Sequence, residues 1–555
     1  MKLASLWLHR CLTEHITCMI SDEPLPALPS RVLDVDTPHS PSKLSLVESG
    51  GRHGFYVTLS HVWGKQNVTR TTRANINERK QSISLDSLSQ TFQDAISIVR
   101  KLDIRYIWID SLCIVQDDPS DWAIEASKMG SYYSNSLFNI GAVSSNDSKA
   151  GCFMPYKSKT ITPCAITIEF PVSEDYPKNT SGRMFGFIRP NLSWDPVQQT
   201  DGFQRPILWQ RAWVLQERLL SPRLLLFSEM QMSWYCRSGE ASERVPEGTS
   251  RFTDLKHGEK VLRSAILGLT KPVNSIPSTK SERTVALLGA NCGIGFNQDP
   301  TDLYNAWYDL VMLYGKCDLS VQSDIFPAIS GIAQAIGKAT GDEYFAGHWK
   351  NDLHRGLIWT APDSTVSRGY LMEYRAPSWS WASLPATCGF YVRQIIPSDV
   401  DTSCLHLKEA RIRTDPPDSF GRVLEGALIF EGIMKKAHPR ARKIDGNEEA
   451  FAVAKASDQE ATLFDLHEKI SVGYYYPDNE NTRHLTEVWC APIMTEASYF
   501  TKHKPDEKEL PLREARCWAM ICLNVETQTF MRVGLAWVRN WEWFRNCSRL
   551  TFTIV

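Results

Sequence analysis

Between residues 55 and 143 the chain alternates two kinds of apolar pattern, and this alternation limits its fold more than any other feature. Phe55-Tyr-Val-Thr-Leu-Ser-His61 is a short β-prone run that stops at Trp63-Gly64. Phe92, Ala95, Ile96, Val99 and Leu102 then recur at helical spacing, with Asp94, Arg100 and Lys101 on the other faces. Ile104-Arg-Tyr-Ile-Trp-Ile-Asp110 is a second strand, apolar enough to be buried on both faces as parallel strands are. Asp117-Asp-Pro-Ser-Asp121 combines an Asp cap, a proline at the first helical position and first-turn acids, all of which favour a helix start. Trp122, Glu125, Ala126, Met129 and Tyr133 follow on one stripe, and Leu137–Val143 is a third strand. The order β-α-β-α-β predicts an α/β fold, with a doubly wound parallel sheet and right-handed crossovers in the N-terminal domain.

Beyond residue 160 the pattern weakens. An island at Arg211-Ala-Trp-Val-Leu-Gln-Glu-Arg-Leu-Leu220 precedes the apolar runs Leu224–Phe227 and Trp234–Cys236, and 300–340 reads as helical. Alternating runs such as Ala427–Phe430 and Cys517–Cys522 predict β-structure near the C-terminus, while 436–450, rich in Lys, Arg, Pro and Gly, reads as an exposed loop or linker. The expected organisation is an extended lead-in over 1–50 and the α/β domain over 51–160. A mixed helical and aromatic-rich region packed on that domain would follow over 161–420, then a β-rich region over 421–555. A length of 555 residues is enough for this many parts.

Composition narrows the function. Lys plus Arg total 61 against 63 for Asp plus Glu, so no net field gathers nucleic acid or an anionic surface. The 14 cysteines contain no Cys-x-x-Cys pair and no zinc pattern with a histidine pair, so they read as reduced thiols and no metal is expected. Leu3–Leu8 is too short for a signal sequence, and no apolar stretch reaches the roughly 20 residues of a membrane span. The reading is a cytoplasmic chain with no membrane span and no nucleic-acid partner. Phosphate-loop, Gly-x-Ser-x-Gly and His-Glu-x-x-His signatures are all missing. Gly289–Gly295 is glycine-rich but has the wrong spacing for a dinucleotide fingerprint.

Open parallel sheets bind ligands beyond the carboxyl ends of their strands. The first strand delivers Ser60, His61, Trp63 and Gly64 there, and the second delivers Asp110, Ser111 and Cys113. If the two strands are neighbours, both clusters share one edge. Glu125 lies on the apolar stripe of its helix, where a carboxylate needs either a partner such as Arg105 or Lys128 or a functional reason for burial. Such a group suits acid, base or ribose-binding work. Each of the others has a plainer alternative. Asp110 can cap its turn, Cys113 can be a small buried hydrophobe, and His61 can be structural. Trp63 and Trp108 can be core, and Asp94 can bond backbone or arginine groups.

Taken together these motifs are recognisable. Tyr56-Val-Thr-Leu-Ser-His-Val-Trp-Gly64, Thr91-Phe-Gln-Asp-Ala-Ile96, Arg105–Asp118 and Asp121-Trp-Ala-Ile-Glu125 with Met129 resemble the fungal heterokaryon incompatibility (HET) domain. Pro29–Val35, Arg211–Leu220, Ser330–Ala333, Tyr344–Trp349, Gly356–Trp359 and Arg375–Ala382 resemble further stretches of stand-alone members. The resemblance implies a filamentous-fungal origin and non-self recognition, in which fusion of unlike hyphae triggers programmed cell death. It also implies a distant likeness to TIR domains, some of which cleave NAD with a glutamate; Glu125 occupies that position. Glu125, Asp110 and Cys113 are then the catalytic candidates, and Ser60, His61, Trp63, Gly64, Ser111 and Asp94 the ligand-binding ones. No cofactor is required, and NAD is the candidate substrate. The partner would be an incompatible allelic or non-allelic protein, with self-association as a second mode. Two alternatives stand beside this reading: an enzyme or accessory protein of a fungal natural-product cluster, and a non-catalytic adaptor.

Overall fold

The computed structural model describes residues 1–18, 25–35, 43–64, 69–153, 164–169, 181–186, 206–249, 300–361, 373–384, 389–390, 400–401, 404–441, 461–465, 470–496, 516–539 and 541–555. They form two compact units. The first takes 1–118, 135–209 and 221–256; the second takes 119–134, 210–220 and 257–555. The glycine-rich run Gly289–Gly295 lies outside the described residues.

The first unit is built on a nine-stranded sheet. Its strands are β1 (Arg31–Asp34), β2 (Ser45–Glu48), β3 (Tyr56–Ser60), β4 (Tyr106–Trp108) and β5 (Asn139–Ala142). A separate antiparallel hairpin, β6 (Cys164–Glu169) with β7 (Ser181–Gly186), intervenes, and the sheet resumes with β8 (Leu224–Phe227), β9 (Met232–Tyr235), β10 (Glu240–Ser242) and β11 (Val245–Thr249). The spatial order is β11-β10-β9-β8-β5-β3-β4-β1-β2. The middle four, β4, β3, β5 and β8, run parallel, and antiparallel strands flank them on both sides. Parallel strands covered on both faces must be apolar throughout, and every residue of β3, β5 and β8 is buried. Between β3 and β4 lie the short helix α2 (Ile76–Gln81) and α3 (Gln90–Lys101), which buries Phe92, Ala95, Ile96, Ile98 and Val99.

Two expectations change here. The lead-in is not simply extended: Lys2–Thr13 forms helix α1, and β1 and β2 complete one edge of the sheet. Nor does the α/β sheet stop near residue 160, because β8 to β11 extend it to Thr249. Local propensity cannot reveal that a strand so distant in sequence adds to an existing edge.

In the second unit, helix α5 (Pro119–Ser134) starts at the expected proline. It packs with α7 (Val214–Leu220), which follows the single turn α6 (Ile207–Gln210) and has every residue buried, and with α9 (Pro327–Thr340). Helix α8 (Pro300–Tyr314) buries Trp307, Leu310, Val311 and Tyr314. The C-terminal part is β-rich, as the alternating runs predicted. Strand β19 (Lys435–Ala441) pairs with β20 (Ala461–Asp465) and β22 (Val488–Glu496), and β21 (Ile470–Pro477) joins β20 to β24 (Thr529–Val538). Strand β23 (Arg516–Glu526) then pairs with both β22 and β24 and closes a six-stranded antiparallel ring. Closure removes exposed edges. The ring is filled, not open: Leu463, Tyr475, Val488, Cys490, Ile521, Val533 and Phe544 share one core. Residues 436–441, expected in a loop, belong to ring strand β19, and Ala437 is fully buried. The charges on Lys435, Lys436 and Arg440 hid an alternating strand. Residues 442–450 lie outside the described residues.

His348, in the two-residue strand β13 (His348–Trp349), is fully buried, and neither ring nitrogen has a hydrogen-bond partner among the described residues. Burial first, and the nearby Arg532 charge second, push its pKa from the ordinary 6.5 down to about 3. The unfolded chain therefore takes up this proton before the folded one. Stability is lost as pH falls from about 6.5 toward 3, by up to about 1.4 kcal/mol per pH unit. Urea unfolding at stepped pH should show that slope, and His348→Leu should flatten it. The half-buried His354, whose pKa is also lowered by desolvation, leaves a residual dependence.

Candidate functional site

The predicted polar turns meet at one edge of the first unit's sheet. β3 and β4 are parallel neighbours, with Thr58 opposite Trp108, so both carboxyl ends point the same way. The chain leaves β3 through His61, Val62 and Trp63 and turns at Gly64, whose φ of +84° suits glycine. A Cβ on Gly64 would also lie 2.9 Å from Asp147 Cβ, so the turn has no room for a side chain. β4 ends at Trp108, and after Ile109 the residues Asp110–Cys113 form the one-turn helix α4.

Asp110 ties the turns together. Its Oδ2 accepts from Trp63 Nε1 at 2.9 Å, and its Oδ1 accepts from the Ser111 backbone N–H at 2.7 Å. His61 Nδ1 stands 3.9 Å from Oδ1, too far for a hydrogen bond but close enough for an ion pair once the ring is protonated. The imidazole is almost wholly buried, edge-on to Phe92 at 4.9 Å, whereas the Asp110 side chain is 18 % exposed. The part-exposed groups at this edge are therefore Trp63, Gly64 and Asp110, with His61 behind them. Ser111 Oγ is buried and has no hydrogen-bond partner among the described residues. Gln116, which the sequence did not single out, donates from Nε2 to the Asp110 carbonyl at 3.1 Å and fixes the turn from behind.

The remaining candidates are placed elsewhere. Ser60 Oγ accepts from Asn139 Nδ2 at 2.8 Å, and Asn139 Oδ1 accepts from Thr58 Oγ1 at 3.1 Å. This buried polar rung joins β3 to β5. Asn139 was legible only as a lone polar residue inside an apolar run. Cys113 is fully buried, and its carbonyl accepts from Arg31 Nε at 2.7 Å. Asp94 Oδ2 accepts from the Cys152 N–H at 2.8 Å, and Oδ1 accepts from Gln90 Nε2 at 2.8 Å. Gly151 makes that approach possible, since a Cβ there would lie 2.5 Å from Asp94 Oδ2. Asp94 thus clamps the chain after β5 to α3.

Glu125 belongs to the second unit, on α5. It is 2 % exposed; Oε2 accepts from the Tyr132 hydroxyl at 2.9 Å, and Lys128 Nζ lies 3.6 Å from Oε1. Lys128 was one of the two partners its sequence position suggested. The other, Arg105, pairs instead with Asp34 at 2.7 Å.

A sheet with four parallel strands at its centre and antiparallel strands on both sides defines a mixed α/β domain. Residues 56–217 match the family described as Heterokaryon incompatibility protein (HET). The chain thus carries a HET domain over this span, which contains every candidate above. No curated protein and no solved structure matches it. No described helix is long and apolar enough to cross a membrane.

Proposed function

We propose that this protein is an effector of heterokaryon incompatibility that promotes programmed cell death in a filamentous fungus. Its chemistry in this proposal is cleavage of NAD at the nicotinamide–ribose bond. The observation that carries the reading is Asp110: a part-exposed carboxylate held by two turns at the sheet edge where α/β folds take ligands. The four parallel strands lie in the order β4-β3-β5-β8, second-first-third-fourth along the chain, as in flavodoxin-like sheets. That order supports the TIR-like reading of the domain.

In the proposed reaction, water adds to the ribose C1 as the C–N bond breaks. Nicotinamide leaves with the bonding electrons, giving ADP-ribose and one proton. Glu125, oriented by Tyr132 and Lys128, would stabilise the positive charge that develops on the ribose. The same contacts on Glu125 favour a second reading, in which it is a structural residue of α5 and the protein is a non-catalytic adaptor.

Expression of the full chain in a fungal host, with nicotinamide release measured in parallel, separates these readings. The wild type should be toxic and release nicotinamide, and Glu125→Gln should lower release by about 100-fold while thermal unfolding shows the fold retained. Toxicity that survives Glu125→Gln, with no release by the wild type, overturns the catalytic reading and leaves the adaptor. A well-tolerated chain overturns the death-effector role and returns the question to biosynthesis.

A further inference from the structure

The first unit contains four donor atoms that the sheet-edge site does not use. The thiols of Cys11, Cys18 and Cys236 and a ring nitrogen of His15 all lie within 4.8 Å of one another. Cys11 sits in the last turn of α1, His15 just beyond it, and Cys18 closes a single 3-10 turn, Ile16–Cys18. Cys236 follows β9 in a tight turn whose N–H to Gly239 carbonyl bond is 2.9 Å. The three cysteines are buried, and the histidine is partly exposed. We propose that these four side chains bind one zinc ion and staple the N-terminal helix to the β9–β10 turn.

The donor set suits that ion. Three sulfurs and one imidazole nitrogen are a closed, structural zinc set, and Zn–S bonds of about 2.3 Å place tetrahedral ligands about 3.8 Å apart. His15 Nδ1 is already 3.4 Å from Cys236 Sγ. Three thiolates around a dication leave one negative charge, and the matching positive charge is present. Arg223 is buried, and its Nε donates to Cys11 Sγ at 3.2 Å. Its other nitrogens donate to the Cys18 carbonyl and, at 3.1 Å, to the Leu137 carbonyl, so the guanidinium cannot swing away. Ser238 Oγ is 3.6 Å from Cys18 Sγ, adding a polar contact behind a ligand. A disulfide would use two of the sulfurs and leave the third thiol and the imidazole with no role.

The segment the staple would hold also buries Trp7, Leu8 and Cys11, and Thr17 Oγ1 lies 2.6 Å from Ser238 Oγ. Trp7 Nε1 donates to the Pro246 carbonyl at 2.8 Å, and Arg10 pairs with the exposed Glu247 at 3.0 Å. The spacing Cys11-x3-His15-x2-Cys18 matches no familiar finger, and the fourth ligand comes from the far end of the unit, so the sequence concealed the set.

The full chain, purified under reducing conditions, should contain one zinc per molecule by elemental analysis and release it when a mercurial titrates its thiols. The metal-free chain should take up one cobalt ion and develop the thiolate charge-transfer and tetrahedral ligand-field bands of a sulfur-rich site. Cys236→Ser and His15→Ala should lower cobalt affinity at least tenfold, and Cys152→Ser, a buried thiol outside the set, should not. A folded, fully reduced wild type that carries no zinc and binds no cobalt overturns the proposal. So does a disulfide between any two of the three cysteines in the native chain. Both of these outcomes are measured on the wild type, so a variant that fails to fold does not decide the matter.

Discussion

Arg532→Ala is expected to destabilise the second unit by about 3–5 kcal/mol, the cost of leaving a buried charge without its partner. Arg532 is 2 % exposed, and every contact it makes is internal. Its Nε donates to Asp478 Oδ2 at 3.2 Å, and its terminal nitrogens donate to the Leu357 and Trp359 carbonyls at 2.7 and 2.6 Å. The guanidinium lies 3.5 Å from the centre of the Trp359 ring. Asp478 is buried as well; desolvation pushes its pKa up, and Arg532 opposes that shift. Removing the arginine strands the carboxylate and two carbonyls at once. Arg532→Met combined with Asp478→Leu should recover part of the loss, because the buried charge disappears while the two carbonyls stay unpaired. Denaturant midpoints of the single and double variants provide the test. A loss below about 1 kcal/mol for Arg532→Ala would mean that water reaches the site.

The carboxyl-edge cluster was readable in the sequence because it is local. Two apolar runs, each ending in polar residues, suffice to predict neighbouring parallel strands, and Trp63, His61 and Asp110 do meet there. What escaped is non-local. Nothing about Leu224–Phe227 says that it pairs with β5, and nothing about Trp234–Cys236 says that it ends beside α1. The closed ring escaped for the same reason, since six strands scattered over 435–538 reveal closure only through their pairings. Residues 436–441 misled in a different way. The lysine and arginine of this run look like a solvated loop until Ala437 is seen to face the core. Glu125 was half legible. Its place on an apolar stripe foretold burial and Lys128 foretold its partner, but nothing local marks Tyr132, two turns further along the helix, as the hydroxyl that reaches it.

Gly331→Ala should also destabilise the protein strongly, by about 1–3 kcal/mol, although alanine favours an isolated helix by about 1 kcal/mol. Gly331 in α9 and Gly130 in α5 bring two backbones together: a Cβ on either glycine would lie 2.6 Å from the other's Cα. The same Cβ on Gly331 would press on Gln216 Oε1 and Leu220 Cδ1 of α7 at 3.0 Å. Backbone cannot yield as a side chain can, so the helices must separate. The Gly331 N–H, which now donates to Gln216 Oε1 at 3.3 Å, would lose that link. Gly130→Ala should cost a similar amount, and the double variant should cost clearly less than the two singles combined, because the first methyl has already parted the helices. Additive losses would mean that the two glycines do not share one contact. Since α5 also carries Glu125, either variant should lower the nicotinamide release proposed above at temperatures where the fold persists, with Glu125 itself unchanged. A thermal unfolding series run beside the nicotinamide assay measures both consequences.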